Sequence, residues 1–426
     1  MRILPRGLMA VLLALPALAL GGAAHASTTV GGGVVGGPVY DYSPSVITST
    51  DGTTQDVWWC GGRSASDPAN FTDTIKHQEF GFTGGLHVTI ADHTVLGETV
   101  GAWDSVYVCN PSVVEGTFVN PLGDGVTYGY ALYYVGTAAS NGTDNSIGVA
   151  FSNDGDHWVK YPTPVLQTAT TGGIYYGLGQ PNASDPGGSA VTLLYESTSA
   201  SPAGTGSPLP VHRPSAIAPG AHVNDTTPTE VVSHLEATSI DGLHFTTVGT
   251  VSPAGLPSPT PSWGGAAHDA SAGLWYAAFN DPIRPIATTG GTLERGQPGV
   301  TLYSTPDPLA GQWTEVDTID TNLTGYESNF LAGFSLHPDG TIAPTGQGGV
   351  ELYLSTSVPR PAANATPLMR EASQNFNQWD ITWSAWAPGA LLRALSRYYS
   401  SSLGVHEVTT GWVDTSTFHV ESVLDD

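Results

Sequence analysis

Short runs in which apolar and polar residues alternate cover most of the chain, and Gly, Pro, Asn and Asp separate them. Runs of this kind predict β-strands joined by tight turns. The region 101–166 shows the pattern most completely, because it predicts strands at Val106–Val114, Tyr128–Gly136, Ile147–Ser152 and Trp158–Val165. Asp-Gly and Asn-Gly turns between such strands are typical of an antiparallel meander. We therefore predict one complete antiparallel sheet here.

The start of this sheet has counterparts along the chain. Aligning short motifs gives equivalent points at Pro44, Pro111, Pro181, Gly265 and Asn329. Successive points are 67, 70, 84 and 64 residues apart, as the differences between their residue numbers show, and a Pro/Gly/Ser-rich inserted loop accounts for the longest interval. Five such units arranged radially predict an all-β, five-bladed β-propeller. A β-sandwich is the competing architecture, but it gives no reason for the repeat.

A Ser-x-Asp-Gly-x-x-aromatic turn occurs twice, at Ser152–Trp158 and at Ser239–Phe245. In each copy we expect the Asp to cap the turn through backbone N–H groups and the Gly to adopt a positive φ. The aromatic residue then packs between neighbouring sheets. These aspartates are therefore predicted to be structural.

The two ends of the chain differ from its middle. Residues 1–26 have the charged start, apolar core and small-residue cleavage site of a signal peptide, which predicts a secreted, extracellular protein. No later stretch is long and apolar enough to span a membrane. Residues 27–386 are assigned to the propeller. Residues 387–426 form a short C-terminal α+β extension, with a helix predicted at Pro388–Tyr398, and resemble one copy of a repeat module found beside secreted bacterial hydrolases.

Composition and charge restrict the classes of molecule that the protein is expected to bind. The chain has 12 Lys+Arg against 37 Asp+Glu and a net charge of −25, which excludes nucleic acid and disfavours polyanionic glycans. Its two cysteines, Cys60 and Cys109, form either a disulfide or two buried thiols. The 13 histidines show no His-x-His or His-x-x-x-His spacing, so no metal site and no cofactor are predicted. We expect a monomer.

Three segments of the region 101–166 resemble a known family. Asn110–Val114, Tyr133–Gly136 and Ile147–Trp158 look like secreted bacterial five-bladed propellers of the arabinanase, xylosidase, invertase and β-mannoside phosphorylase superfamily. The resemblance implies glycoside cleavage or carbohydrate binding at the mouth of a central funnel. It also implies that a central ion or water can occupy the scaffold, although no ligand set in this sequence identifies one.

The chain departs from that family at two positions. The hydrolases place Asp before Pro at the start of their first two blades, whereas Ser43 and Asn110 stand there in this chain. Neither side chain is a general base at neutral pH. Two hypotheses therefore remain open: a glycoside hydrolase acting on a neutral poly- or oligosaccharide, and a non-catalytic propeller that binds polysaccharide or a cell-envelope partner.

Glycoside hydrolysis uses two carboxyl groups on either side of the scissile bond. Asp41, Asp104 and Glu327 precede or open the first strands of their units and are the catalytic candidates, although each also fits a turn or cap residue. The carbohydrate-binding candidates are aromatic, amide and imidazole residues near the same strand ends, which equally suit the filling of blade seams. They are Trp103, Asn110, Tyr176, Gln180, Trp263, His268, Tyr326 and Asn329.

Overall fold

The computed structural model describes residues 28–35, 41–62, 73–81, 87–140, 142–169, 175–200, 230–258, 260–280, 284–287, 293–296, 299–320, 329–343, 350–356, 380–386, 391–400 and 404–414. The predicted signal peptide lies outside these residues. All regular secondary structure within them is β, as predicted for the propeller. None of these residues belongs to a helix long and apolar enough to cross a membrane.

The strands of the described residues follow one another in chain order. They are β1 Thr28–Val35, β2 Asp41–Thr48, β3 Thr54–Gly62, β4 Asp73–Gly81, β5 His87–Leu96, β6 Tyr107–Val119, β7 Thr127–Thr137, β8 Ser146–Ser152, β9 Val159–Lys160, β10 Leu178–Gly187, β11 Ala190–Ala200, β12 Glu230–Ser239, β13 Thr246–Thr250, β14 Trp263–Asp269, β15 Leu274–Asn280, β16 Arg284–Ala287, β17 Leu293–Gly296, β18 Gly299–Thr305, β19 Thr314–Asp320, β20 Asn329–Leu336, β21 Val350–Thr356, β22 Asp380–Trp386, β23 Leu391–Ser400 and β24 Gly404–Asp414.

These strands form four-stranded antiparallel units in a propeller arrangement. Unit 2 is β6-β7-β8-β9, unit 3 is β10-β11-β12-β13, and unit 4 is β14-β15-β18-β19. Unit 1 (β2-β3-β4-β5) and unit 5 (β20-β21-β22-β1) belong to one eight-stranded sheet, joined where β2 runs parallel to β20. Hydrogen bonding thus separates the propeller into four sheets, where the sequence predicted five.

The joint between units 1 and 5 is short. It consists of the parallel pairs Val46–Ser335 and Ile47–Leu336, whereas neighbouring strands inside each unit pair antiparallel over most of their length. Because innermost strands of adjacent propeller units run in the same direction, a parallel contact is the one they are able to make. Units 1 and 5 are therefore continuous through a parallel contact of two residue pairs.

The meander predicted in region 101–166 is confirmed as unit 2, with one difference. Its outermost strand β9 spans only Val159–Lys160 and does not reach Val165. Pro162 and Pro164 explain the early end, since proline has no N–H with which to continue the ladder.

The predicted helix at Pro388–Tyr398 is wrong. Its described residues, from Leu391 onward, belong to β23, which pairs antiparallel with β24 in a two-stranded hairpin, so the described part of the extension is β and not α+β. Leucine spacing alone favoured a helix, but Tyr398 and Tyr399 have high β-propensity and pair with His406 and Val405 on the partner strand.

Adjacent units pack against each other along seams. We call the contact between units 1 and 2 the first seam and that between units 2 and 3 the second seam. In the first seam the Ser45 hydroxyl accepts the Val113 N–H at 3.0 Å. In the second, the Ser112 hydroxyl accepts the Ala183 N–H at 2.9 Å. The same strand position thus supplies the same link in consecutive units.

Candidate functional site

All five innermost strands carry a bulge at the same register. Each bulge places two residues of the innermost strand opposite one residue of the second strand. The bulged pairs are Ser43-Pro44, Asn110-Pro111, Gln180-Pro181, Gly264-Gly265 and Leu331-Ala332. The sequence alignment therefore has the right residues in units 1 to 4. In unit 5 the equivalent of Pro44 is Ala332, three residues beyond the predicted Asn329.

The first residue of the bulge has a positive φ in four units, at Ser43 (56°), Asn110 (49°), Gln180 (45°) and Leu331 (43°). Side chains other than glycine rarely adopt this conformation, and for leucine it is strained. All four residues line one cavity on the propeller axis. The backbone strain is therefore concentrated around the central channel.

The channel is narrow at this level. Its cavity measures about 20 Å³, which is room for about one water molecule. The Ser43 hydroxyl of unit 1 donates to Gln180 Oε1 of unit 3 at 3.5 Å. A sugar ring cannot enter here. Any glycan would have to bind outside this level of the channel. We call the end at which the innermost strands begin the channel mouth.

The lining of the cavity is polar but uncharged. Hydroxyl and amide side chains come from three units, and proline, glycine and apolar residues complete the wall. No carboxylate is among these lining residues. Asn110 is held from the mouth side, where its Nδ2 donates to the Tyr176 hydroxyl at 3.4 Å.

A buried polar network lies between Asn110 and the first seam. The Tyr107 hydroxyl donates to Asn145 Oδ1 at 2.5 Å. The Tyr42 hydroxyl donates to Asp73 Oδ2 at 2.7 Å and lies 3.2 Å from Cys109 Sγ. Burial raises the pKa of the Tyr42, Tyr107 and Tyr176 hydroxyls, so all three are neutral donors at ordinary pH.

Asp73 is the most perturbed carboxyl of this network. Burial raises its pKa to about 7, against the opposing effect of the Tyr42 hydrogen bond. Its Oδ1 has no hydrogen-bond partner among the described residues. Sequence analysis missed Asp73, because it lies in no motif and its burial comes from Tyr42, 31 residues earlier.

Cys60 and Cys109 form a disulfide with a Cα–Cα distance of 5.0 Å. The bridge connects β3 of unit 1 to β6 of unit 2 and lies beside the Asp73 carboxyl. It therefore crosses the first seam at the mouth end of the channel.

Asp41 lies at the channel mouth, at the start of β2. Its Oδ1 accepts the Trp59 Nε1–H at 2.7 Å, and the residue is buried. Asp41 opposes Gly61 on β3, whereas Asp73 opposes Gly62 from the other side. Because side chains alternate along a strand, these two carboxyls project from opposite faces of unit 1. They do not form a pair facing one bound glycosidic bond.

Asp104 is held away from the channel. The buried Asp104 Oδ2 forms an ion pair with Lys160 Nζ on the outermost strand β9 and accepts the Tyr134 hydroxyl at 3.1 Å. Three strand spacings, roughly 14 Å, separate β9 from the innermost strand. Trp103 stacks on the Tyr134 ring at 5.7 Å. Trp103 and Asp104 thus cover one face of unit 2, contrary to their predicted place at the mouth.

Two further predicted binding residues serve other purposes. Trp263 is completely buried and packs against His234 and Phe279 between units 3 and 4, so it cannot contact a glycan. His268 lies near the far end of β14, where its ring packs against Trp275. Five residues of strand, about 16 Å, separate His268 from the start of β14.

Glu327 and Tyr326 lie outside the described residues. Asn329 opens β20 opposite Thr356, and only its backbone is described. Glu327 therefore stays a prediction, as does the role of Asn329.

Glu196 is a further buried carboxylate at the mouth end. It opposes Gly179, the residue before the unit 3 bulge. Its oxygens accept the Trp263 N–H at 2.6 Å and the Ser262 hydroxyl at 2.8 and 2.9 Å, and one lies 3.2 Å from His234 Nε2. Since these bonds join units 3 and 4, Glu196 is a structural clamp.

No family model matches this chain, and no curated protein matches it in sequence. Similar solved structures include Zg3597, a family 117 glycoside hydrolase of Zobellia galactanivorans, with 10% identity, a TM-score of 0.49 and coverage of 85% of this chain and 90% of that one. The α-L-arabinofuranosidase PaAbf62A of Podospora anserina has 11% identity, a TM-score of 0.46 and coverage of 85% and 97%. The propeller assignment follows from the sheets of this chain itself.

Proposed function

We propose that the propeller has five blades, with units 1 and 5 as separate blades. Side-chain acceptors link successive units around the ring, for Asn182 Oδ1 accepts the Ala266 N–H and Asn280 Oδ1 accepts the Leu331 N–H. Ser355 Oγ then accepts the Ser43 N–H, which returns from unit 5 to unit 1. The first strand of the chain, β1, is the outermost strand of unit 5 and pairs with β22 from the end of the propeller. Unit 5 therefore contains both ends of the propeller chain, an arrangement that closes the ring.

We further propose that this protein binds a neutral oligo- or polysaccharide at the mouth of its central channel. The observation that carries the proposal is the polar, uncharged base of this mouth, where Ser43, Asn110 and Gln180 stand at strained bulges around one axis. Strained backbone that the surrounding structure enforces is typical of ligand sites. Amide and hydroxyl groups offer both donors and acceptors, as sugar hydroxyls require.

Charge and sequence resemblance support the same ligand class. A net charge of −25 disfavours a polyanionic ligand, whereas an uncharged glycan suffers no such repulsion. The segments that resemble secreted glycan-acting propellers include the Asn110 bulge itself. An extracellular location, which the 1–26 segment predicts, is where such a ligand would be met.

Binding is tested with a panel of neutral polysaccharides and oligosaccharides, measured by affinity electrophoresis and then calorimetry. We expect Asn110→Ala to weaken binding about tenfold, because Asn110 Nδ2 positions the Tyr176 hydroxyl at the channel mouth. Asn120→Ala is the matched control, because Asn120 has a similar φ of 51° but lies in an exposed turn. Equal affinity in both variants, or no binding to any glycan, would overturn the proposal.

Hydrolysis is the second candidate function. Asp73 favours it, since a pKa of about 7 suits a general acid and the residue lies at the mouth end. The complete burial of Asp73 and its orientation away from Asp41 weigh against it. Reducing-sugar release that is lost in both Glu327→Gln and Asp73→Asn would establish hydrolysis. Binding without release in the wild-type protein would restrict the function to recognition.

A further inference from the structure

A cluster of two imidazoles and a carboxylate lies in the first seam, apart from the channel. His77 on β4 and His93 on β5 are direct cross-strand partners, and Asp156 comes from the turn of unit 2. Asp156 Oδ1 lies 3.2 Å from His77 Nδ1 and 2.6 Å from His93 Nε2. One ligand atom of each residue lies within 4.8 Å of the others.

The remaining nitrogen of each imidazole is already oriented. His77 Nε2 lies 2.8 Å from Asp56 Oδ1, and His93 Nδ1 lies 2.9 Å from the Ala91 carbonyl oxygen. Each of these nitrogens faces a group that accepts hydrogen bonds, so a ring that donates its N–H there presents the lone pair of its other nitrogen to Asp156. Both lone pairs then face the Asp156 carboxylate. In that tautomer three acceptors converge on one point, an arrangement that suits a bound cation.

The propeller architecture does not demand these polar groups. At the matching positions of the second seam, Val149 replaces His77 and Leu243 replaces Asp156, and both are buried in an apolar cluster. The turn is otherwise the same, since the Asp156 and Leu243 N–H groups each bond to the turn aspartate two residues earlier. The conformation of the turn therefore does not require a carboxylate at the position of Asp156.

We propose that His77, His93 and Asp156 bind a zinc ion that ties β4 and β5 of unit 1 to the turn of unit 2. Two imidazole nitrogens and one carboxylate oxygen are a ligand set that zinc takes with a fourth position left for water. Imidazoles that donate their other N–H to a carboxylate or a backbone carbonyl are typical of zinc ligands.

The geometry needs only a small adjustment. Ligand atoms about 2.0–2.1 Å from a tetrahedral zinc lie roughly 3.3 Å apart, close to the His77–Asp156 spacing. The shorter His93–Asp156 spacing must widen, and the His93 side chain, 40% exposed, has room to move. His77 stays in place, because its ring stacks on Trp58 at 4.8 Å and Trp58 Nε1 donates to the Gly155 carbonyl.

The test uses the full chain, freed of metal with a chelator and titrated with zinc chloride against a chromogenic competitor. We expect one zinc per chain, with affinity lowered at least tenfold in His93→Gln and in Asp156→Asn. His244→Gln is the matched control, because His244 is an exposed histidine that pairs with the aspartate of the other turn copy. Zinc affinity unchanged in both cluster variants, or no stoichiometric binding by the wild type, would overturn the proposal.

A second variant distinguishes the loss of zinc binding from the loss of the fold. His77→Val combined with Asp156→Leu copies the residues of the second seam, so it should fold and yet bind no zinc at this seam. Near-ultraviolet circular dichroism checks the fold of each variant. Cobalt(II) provides an independent readout, since the visible absorption of a tetrahedral cobalt site should appear in the wild type and in His244→Gln but not in the double variant. A tetrahedral spectrum that persists in the double variant would contradict the assignment.

Discussion

The first and second seams of the propeller are built from the same parts and filled differently. In each, an aromatic residue on the second strand donates a hydrogen bond to the turn glycine of the next unit: Trp58 Nε1 to the Gly155 carbonyl, and the Tyr133 hydroxyl to the Gly242 carbonyl. The first seam then adds the disulfide, Asp73 and the His77 cluster. The second places Val149 and Leu243 at the cluster positions.

The difference shows that one interface geometry tolerates two kinds of filling. Apolar filling stabilises the seam by removing apolar surface from water, and this contribution does not depend on protonation. Ionisable filling makes the stability of the seam depend on pH, metal and redox state. We therefore expect the first seam to respond to solution conditions and the second seam to respond mainly to changes of side-chain volume.

The largest effects should come from the shared aromatic residues. Trp58→Ala and Tyr133→Ala each remove a fully buried ring and should lower the free energy of unfolding by about 3–5 kcal/mol. Urea denaturation of the two variants measures this. A much smaller loss for Trp58→Ala would show that the polar first seam does not depend on its ring, which would break the comparison.

The disulfide distinguishes the first seam covalently. Replacing both Cys60 and Cys109 by Ala opens a loop with a sequence separation of 49 and should cost about 2–4 kcal/mol. The wild-type protein under reducing conditions should show the same loss. If reduction leaves the unfolding midpoint unchanged while free thiols appear, the bridge contributes nothing to the seam.

Asp73 should make the first seam sensitive to pH. Burial raises its folded-state pKa to about 7, above the unfolded value, so its contribution to stability is full below about pH 4 and is lost as the pH rises to about 7. Asp73→Asn imitates the protonated acid. It should stabilise the protein on the order of 3 kcal/mol at pH 8 and hardly at all at pH 4. Thermal unfolding at both pH values measures the difference, and an equal effect at both would contradict the assignment.

The smallest change in the free energy of unfolding should come from the turn aspartates, and it should be equal in the two seams. Burial acts to raise the pKa of Asp154 and of Asp241, but backbone N–H bonds outweigh it and hold both pKa values well below the usual range. Stability from these carboxylates is therefore present above their unfolded pKa and is lost as the pH falls towards the folded pKa. Asp154→Asn and Asp241→Asn should each cost about 1 kcal/mol at pH 7. Unequal losses would show that the turn copies are not equivalent.

The strands and turns were predictable because their signals are local. Alternation and Asp-Gly turns located unit 2 to within a few residues, and short motifs aligned equivalent positions on the innermost strands of units 1 to 4, where the structure has its bulges. The unit 5 bulge was misplaced by three residues because Leu331-Ala332 shares no side-chain chemistry with Ser43-Pro44. Its equivalence is visible only from the pairing of β20 with β21.

The candidate site was less predictable, since its residues are assigned by contacts between units. Asp104 had the sequence context of a catalytic residue, yet Lys160, 56 residues later, binds it on the face of unit 2. Trp263 was predicted to stack on a bound sugar, yet its ring fills the seam between units 3 and 4. Asn110 and Gln180 do lie around the channel, because their place depends on the bulge that their own motifs mark.

The sequence by itself determined the all-β class, the repeated units and the positions of the innermost strands, because alternation and turn chemistry act between near neighbours in the chain. Only the tertiary structure decided which charged side chains meet. His77 and His93 are 16 positions apart and Asp156 lies 63 beyond His93, so no local spacing connects them. They converge because the turn of unit 2 docks on the face of unit 1, and that docking depends on the packing of two whole sheets.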